Sequence, residues 1–103
     1  MVHNLGMVDW RRMNEPDYGY DWALEARSKM NKFILDGNHK ELIDFKKQGK
    51  AFELSIPTPE HYLPLIYALG LQEKSDMTTL FNDKTLMGSI SMTSVLFSSP
   101  AVA

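Results

Sequence analysis

The sequence contains no cysteine among its 103 residues. Disulfide bonds, thiolate zinc sites and iron–sulfur clusters are therefore excluded, because each of them depends on cysteine sulfur. No stretch approaches the roughly 18 apolar residues that a membrane-spanning helix needs. The N-terminus has no basic segment followed by an apolar one, so we predict no signal peptide. These absences favour a soluble protein of the reducing cytoplasm, with no membrane partner.

The sequence also lacks a strong excess of charge. Its formal net charge is -2 and no run of lysine or arginine is visible, so we expect no binding to nucleic acid. Hydrophobic residues make up 44% and charged residues 23%, a composition that is typical of a globular chain and not of a disordered one. The length predicts one small domain with a modest core.

Two helices are predicted in the first half of the chain. The first begins at Asp17 or Asp21, and Gly37 provides a left-handed stop. Asn38 then caps a second helix, which ends at Gly49. Residues 50–56 are predicted to be an extended connector. The apolar stripe of the first helix recurs at three- and four-residue intervals and consists of Trp22, Ala23, Ala26, Met30, Phe33 and Ile34.

A third helix is predicted from about Thr58 to Leu69, with Thr58 as its N-cap and Pro59 at its first position. Pro64 conflicts with that start, because a proline inside a helix removes one backbone donor. Either the first turn is distorted or the regular helix begins nearer Pro64. Both possibilities remain open at the level of sequence.

Two strands are predicted in the last third, over Met77–Phe81 and Met87–Phe97. Because two strands alone do not make a stable sheet, we expect them to need partner strands from outside this sequence. Residues 98–103 are expected to fray. The predicted class is α/β, with about three helices followed by one or two strands.

Three histidines are the candidate functional residues. His61 is predicted at the third position of its helix, where the positive end of the helix dipole keeps imidazole neutral, which is the form that binds metals. The ordinary alternative is a histidine that only forms hydrogen bonds near a helix start. For His3 the alternative is a surface residue at a loose terminus, and His39 is interpreted as structural. From the residues alone, no pattern completes a metal site, which needs about three protein ligands.

Three segments, taken in order, resemble one known family: "VHNL" near the start, "PTPEHYLPLIYALG" in the middle and "GSISMTSV" near the end. The resemblance extends from Val2 to Val95 and is to the LigB-like (class III) extradiol ring-cleaving dioxygenases, DOPA 4,5-dioxygenase-type branch. It implies a non-haem Fe(II) or Zn(II) centre, one ion per complete site. The histidine of "PTPEH" is a metal ligand in that family and corresponds to His61. The histidine of "HNL", which corresponds to His3, serves as catalytic acid/base or as a further metal ligand.

The reaction implied by this resemblance is the opening of a catechol-type, DOPA-like ring by O2. The family's domain is more than twice as long as this sequence, and its other two metal-site histidines lie in an N-terminal half. We therefore expect residues 1–103 to be the C-terminal portion of a single catalytic domain whose N-terminal half is absent, and to be inactive alone. The alternative is a non-catalytic remnant or small interaction protein that retains the scaffold without metal. A free-standing site formed by His3, His39 and His61 has no support in their spacing.

Overall fold

Within residues 2–99, the part of the chain that the computed structural model describes, there are four α-helices and five short strands. The predicted α/β class is confirmed, although one strand precedes the helices and four follow them. Ser98 still belongs to the last strand, and the fraying predicted for residues 100–103 lies outside the described residues. In chain order the elements are β1 (Val2–His3), α1 (Asp21–Leu35), α2 (His39–Ile43), α3 (Lys50–Ser55), α4 (Leu63–Gly70), β2 (Met77–Phe81), β3 (Thr85–Leu86), β4 (Ile90–Ser91) and β5 (Ser94–Ser98).

Helix α1 carries the apolar stripe that its periodicity predicted. It ends in a Schellman motif: the Asn38 N–H donates to the Phe33 carbonyl (2.8 Å) and the Gly37 N–H donates to the Ile34 carbonyl (3.2 Å). Gly37 has a φ of 69°, so the predicted left-handed stop is confirmed. The buried residues of the helix share one face and are Ala23, Ala26, Met30 and Ile34.

The second predicted helix is interrupted after one turn. Helix α2 ends before Asp44, a residue of low helix propensity whose backbone leaves the helical region. Asn38 precedes the helix as predicted, but its side chain makes no capping hydrogen bond, so the predicted capping interaction is wrong. The Glu41 carboxylate instead accepts a hydrogen bond from Gln48 Nε2 (2.5 Å).

Residues 50–55 form helix α3, which corrects the predicted extended connector. Ala51, Phe52 and Ser55 are its buried residues, and Phe52 is fully enclosed. Burial of a phenylalanine side chain is worth about 1.5–3 kcal/mol, more than the small propensity differences that govern an isolated six-residue segment. Tertiary packing therefore decides the conformation here, where a helix this short would be marginal on its own.

The hydrophobic core lies among α1, α2, α3 and α4. None of the helices in residues 2–99 is long and apolar enough to cross a membrane. The buried members of the core are Ala26, Met30, Ile34, Leu42, Ala51, Phe52, Ile56, Tyr62 and Leu69.

The strands form two small antiparallel sheets. In the three-stranded sheet the order is β1-β4-β3, so β1 lies at an edge, and Val2 pairs with Ser91 while His3 pairs with Ile90. The second sheet pairs β2 with β5. The single strand predicted over Met87–Phe97 is divided between these sheets as β4 and β5. Each described strand has a partner within residues 2–99, so none of them depends on an outside strand for its pairing.

Candidate metal centre

His3 is held at the end of β1 by the residue that follows it. The Asn4 side-chain amide donates to the Leu54 carbonyl (2.7 Å). The Asn4 N–H donates to the Ser89 carbonyl (3.1 Å), and the Asn4 carbonyl accepts from the Ser89 hydroxyl (2.7 Å). These bonds join the "VHNL" segment to the "GSIS" segment. His3 is therefore a half-buried strand residue and not part of a loose terminus.

His61 lies in a turn just before α4, which corrects its predicted place inside a helix. The Pro59 carbonyl accepts hydrogen bonds from the N–H groups of Tyr62 and Leu63, each at 2.9 Å. Regular helix begins at Leu63, so Pro64 takes the second helical position. An N–H at that position has no partner within the helix, and proline loses nothing there. Of the two possibilities for Pro64, the later helix start is the one observed.

Tyr62 anchors this turn to the core. Its side chain is 2% exposed, and its hydroxyl donates to the Leu42 carbonyl (2.5 Å). Its ring centroid lies 5.0 Å from that of Phe45. Burial raises the pKa of Tyr62 well above its usual value, so the hydroxyl stays protonated and remains a donor. Because Tyr62 is the neighbour of His61, its burial limits where the His61 ring can lie.

The two histidines meet although 58 positions separate them. His3 Nε2 is in direct contact with His61 Nδ1. The ring centroids are 4.4 Å apart and the ring planes are inclined by 59°. His3 is half-buried, whereas His61 is exposed. The structure thus brings together the two residues for which the sequence analysis predicted a shared site.

Burial lowers the pKa of His3, and the nearby His61 lowers it further. The neutral ring is favoured at His3, because a charged imidazolium loses hydration on burial. Neutral imidazole nitrogens are ligands that Fe(II) and Zn(II) accept readily. The donor type at this site therefore fits the metal that the family resemblance implies.

The number of donors is smaller than a complete site requires. A catalytic metal takes about three protein ligands and one open position. Within residues 2–99 no group of three His, Cys, Asp or Glu side chains is placed to hold an ion. His39 does not join the pair: its Nε2 donates to Gln72 Oε1 (2.8 Å) at the start of α2. That contact agrees with the structural role predicted for His39.

Two buried polar atoms beside the pair have no hydrogen-bond partner among the described residues. They are His3 Nδ1 and the Ser55 hydroxyl, and both residues line the same small cavity of about 10 Å³. Buried polar atoms are normally hydrogen-bonded, so such exceptions often mark a functional site. Ser55 was not predicted as a site residue, because a serine in a predicted connector carries no signal of burial.

His61 also lines a larger groove of about 260 Å³. Its apolar lining comes from α1, α4 and β5 and includes Met30, Leu65 and Val95. Its polar lining includes Asn31 of α1. The groove therefore connects one histidine of the pair to a mostly apolar space between helices.

Three polar side chains of this groove, those of Asn31, Thr93 and Arg27, donate hydrogen bonds to carboxylates outside its lining. The Asp83 carboxylate accepts from Asn31 Nδ2 (3.1 Å) and from the Thr93 hydroxyl (2.6 Å). Arg27 Nη1 donates to Asp17 Oδ1 (3.0 Å), and Arg27 also lies near Asp83. The arginine charge is thus balanced by two carboxylates. This network was not predicted from the sequence, because its members come from distant segments without a spacing pattern.

The chain is similar in sequence to two named dioxygenases. No family model matches the sequence. The chain is 35% identical over 98 residues to "4,5-DOPA dioxygenase extradiol" of Escherichia coli (strain K12). The aligned region covers 92% of this chain and 35% of that protein. It is 34% identical over 61 residues to "4,5-DOPA dioxygenase extradiol" of Mirabilis jalapa, covering 59% of this chain and 23% of that protein.

A solved structure shows the same arrangement of elements. It is the crystal structure of an uncharacterized protein of Escherichia coli K12, with a TM-score of 0.70 and 33% identity over 91% of this chain and 38% of that one. The predicted resemblance is confirmed: the chain is a partial relative of the extradiol dioxygenases. Both curated relatives within that class bear the name 4,5-DOPA dioxygenase. The chain spans about a third or less of their length.

Proposed function

We propose that residues 1–103 are the C-terminal portion of a single extradiol dioxygenase domain and contribute His3 and His61 to its metal centre. The observation that carries this proposal is the contact between His3 Nε2 and His61 Nδ1. A contact across 58 positions depends on the whole fold, and it unites the two histidines that correspond to functional positions of the family. The remaining ligands would come from the N-terminal half of the domain. The absence of cysteine fits a reducing compartment such as the cytoplasm.

The metal would be Fe(II) or Zn(II), held by His61 and His3 together with ligands from outside residues 2–99. When bound, such an ion supplies the Lewis acidity, and in the case of iron the redox chemistry, that ring opening by O2 requires. His61 suits the role of ligand because it is exposed at the edge of the groove, while Tyr62 fixes its backbone to the core.

In the other role that the resemblance allows, His3 does not bind the metal and acts as acid and base on the substrate. Burial and the neighbouring His61 favour its neutral form, so its ring can accept a proton near neutral pH. In the proposed reaction His3 removes a proton from a catechol hydroxyl and later returns one. The hydrogen bonds of Asn4 hold the strand end on which His3 lies, so the ring is oriented before the substrate arrives.

The proposed substrate is a catechol-type, DOPA-like molecule, and O2 is the second reactant. The names of both curated relatives support this class of substrate. The groove beside His61 supports it as well, because an apolar space with a few polar side chains suits an aromatic ring that carries hydroxyl groups. The ring would open next to the two hydroxyl-bearing carbons.

The proposal is tested by assembly and oxygen uptake. The chain would be produced together with the part of the Escherichia coli relative that lies outside the matched third, and O2 consumption would be followed with DOPA as substrate. We expect activity with the unmodified chain and a loss of about 100-fold or more with His3→Gln, the range for a missing general acid–base. His39→Gln is the matched control and should retain activity. Equal activity of the His3→Gln assembly would contradict the role of His3.

The alternative is a non-catalytic remnant or small interaction protein. One observation favours it: within residues 2–99 the strands pair with one another and the helices enclose a hydrophobic core. In that case the scaffold itself would be the functional unit and would fold without metal. Thermal unfolding of the purified chain, with and without a chelator, separates these cases. A cooperative transition in chelator, combined with no activity in the assembly above, would support the alternative.

A further inference from the structure

Helix α4 is apolar around its whole circumference. Its sequence, LPLIYALG, contains no charged residue, and its only polar side-chain atom is the Tyr67 hydroxyl. A helix of this composition is normally enclosed by other elements on all sides. Here only one side is enclosed, by contacts that bury Leu69 and half-bury Leu65 and Ile66.

The opposite side of α4 forms an exposed apolar surface, which we name the α4 arc. Leu63, Tyr67 and Leu71 recur at four-residue intervals and are 38%, 71% and 82% exposed. Pro64 and Ala68 continue this surface, so that it covers about 140° of the helix at 100° per residue. Contiguous apolar surfaces that large are typical of interaction sites.

The α4 arc is continuous with the groove beside His61. Pro64 and Ala68 belong to the arc and also line the groove, and His61 lines it as well. The exposed surface, the groove and one histidine of the incomplete metal pair therefore form one side of the molecule. A polypeptide that covered the arc would also be close enough to reach the histidine pair.

We propose that the α4 arc and the adjoining groove are the docking surface for the polypeptide that makes up the rest of the relatives' length. The inference rests on the proposed function and adds the surface through which the domain is completed. The matched region is 35% of the Escherichia coli relative and 38% of the solved structure's chain, so those proteins hold further polypeptide beside this region. That polypeptide would place apolar side chains on the arc and at least one further histidine beside His61.

A second copy of this chain is a poorer occupant. It would bring a second copy of the same two histidines, whose rings already contact each other, and no group of three ligating side chains within its own residues 2–99. The polypeptide that makes up the rest of the relatives' length would cover the arc, fill the groove and add a ligand to the histidine pair.

The test measures binding between this chain and the part of the Escherichia coli relative outside the matched third. The two are co-expressed, and the affinity and stoichiometry of the purified complex are measured by analytical ultracentrifugation. We expect a one-to-one complex that Tyr67→Asp or Leu71→Asp weakens by about tenfold or more, since a charge is then buried in an apolar interface. Met13→Asp is the matched control: Met13 is 62% exposed and lies outside the arc. It should leave the affinity unchanged.

His61→Ala separates this inference from the proposed function. If the complex forms normally with His61→Ala but then holds no metal, the docking surface and the metal centre are both supported. If the complex depends on the arc but holds no metal even with the unmodified chain, the docking surface is supported and the metal centre is not. A wild-type complex insensitive to both arc variants would overturn the inference, as would a homodimer of the chain that Tyr67→Asp dissociates. If no complex forms, the same substitutions are placed in a chimera carrying this chain in the position of the matched third. Equal melting temperatures of the Tyr67→Asp and Met13→Asp chimeras would then overturn it.

Discussion

The rings of His3 and His61 lie 4.4 Å apart between centroids, with Nε2 of the first against Nδ1 of the second. One ring ends an edge strand and the other occupies a turn before a helix. Their meeting depends on two anchors: the hydrogen bonds of Asn4 with Leu54 and Ser89, and the burial of Tyr62 beneath α2.

Tyr62→Phe should destabilise the chain by about 1–3 kcal/mol, because it removes the donor to the buried Leu42 carbonyl while leaving the ring in place. The free energy of unfolding would be measured by urea titration. Tyr67→Phe is the matched control, since Tyr67 is exposed and a surface change of this kind is worth about 0.5 kcal/mol or less. Equal effects of the two substitutions would show that the Tyr62 hydroxyl is not an anchor.

Gly88→Ala should be strongly destabilising. The structure therefore gives a reason why the "GSIS" segment begins with a glycine. Gly88 has a φ of 88°, and a Cβ placed there would come within 2.4 Å of ring atoms of Tyr20. Strain and overlap together predict a loss of about 2–4 kcal/mol. Gly37→Ala, which has a φ of 69° but open space around it, should cost only about 1–2 kcal/mol. A loss for Gly88→Ala no larger than that for Gly37→Ala would contradict the close packing on Tyr20.

The sequence predicted helix α1 and strand β2 well because each is long enough to show its period. It failed at α3, where the seven residues between Gly49 and Pro57 resemble a connector, and at the two-residue strands β1 and β3. The start of α4 was ambiguous because both Pro59 and Pro64 suit a first turn. In each failure the conformation is decided by tertiary packing, such as the enclosure of Phe52, which no local pattern reports.

The candidate site was predictable only in part. Resemblance to a family identified His3 and His61, while their separation of 58 positions gave no sign of contact. Ser55 and the Arg27–Asp83 network were not predicted, because burial and long-range pairing are properties of the folded chain. Spacing in the sequence identifies a site only when its ligands share one helix or loop. His3 and His61 lie on different elements, so their spacing carries no such signal.

Stability at acid pH should depend on Asp17. Hydrogen bonds from the Thr85 N–H and from Arg27 hold the pKa of Asp17 below its ordinary value of 3.8. A carboxylate with a depressed pKa stabilises the folded chain fully above the unfolded pKa, and this contribution disappears as the pH falls through the folded pKa. Asp17→Asn should therefore lower stability at pH 7 and reduce its loss below about pH 4.

The effect of Asp17→Asn should be modest, because the Asp17 side chain is 53% exposed and solvent screens its charge. Urea titrations at a series of pH values measure it. Arg27→Gln should act in the same direction, since it removes one of the two donors. An unchanged pH dependence in Asp17→Asn would mean that the hydrogen bonds of Asp17 do not shift its protonation.

The metal content of the completed assembly tests the central claim most directly. The chain would be purified with the part of the Escherichia coli relative outside the matched third, and iron and zinc would be measured by elemental analysis. We predict about one ion per complex with the unmodified chain and a loss of that ion with His61→Ala, while His39→Ala keeps it. An assembly that binds the same amount of metal with His61→Ala as without it would contradict the assignment of His61 as a ligand and, with it, the proposed metal centre.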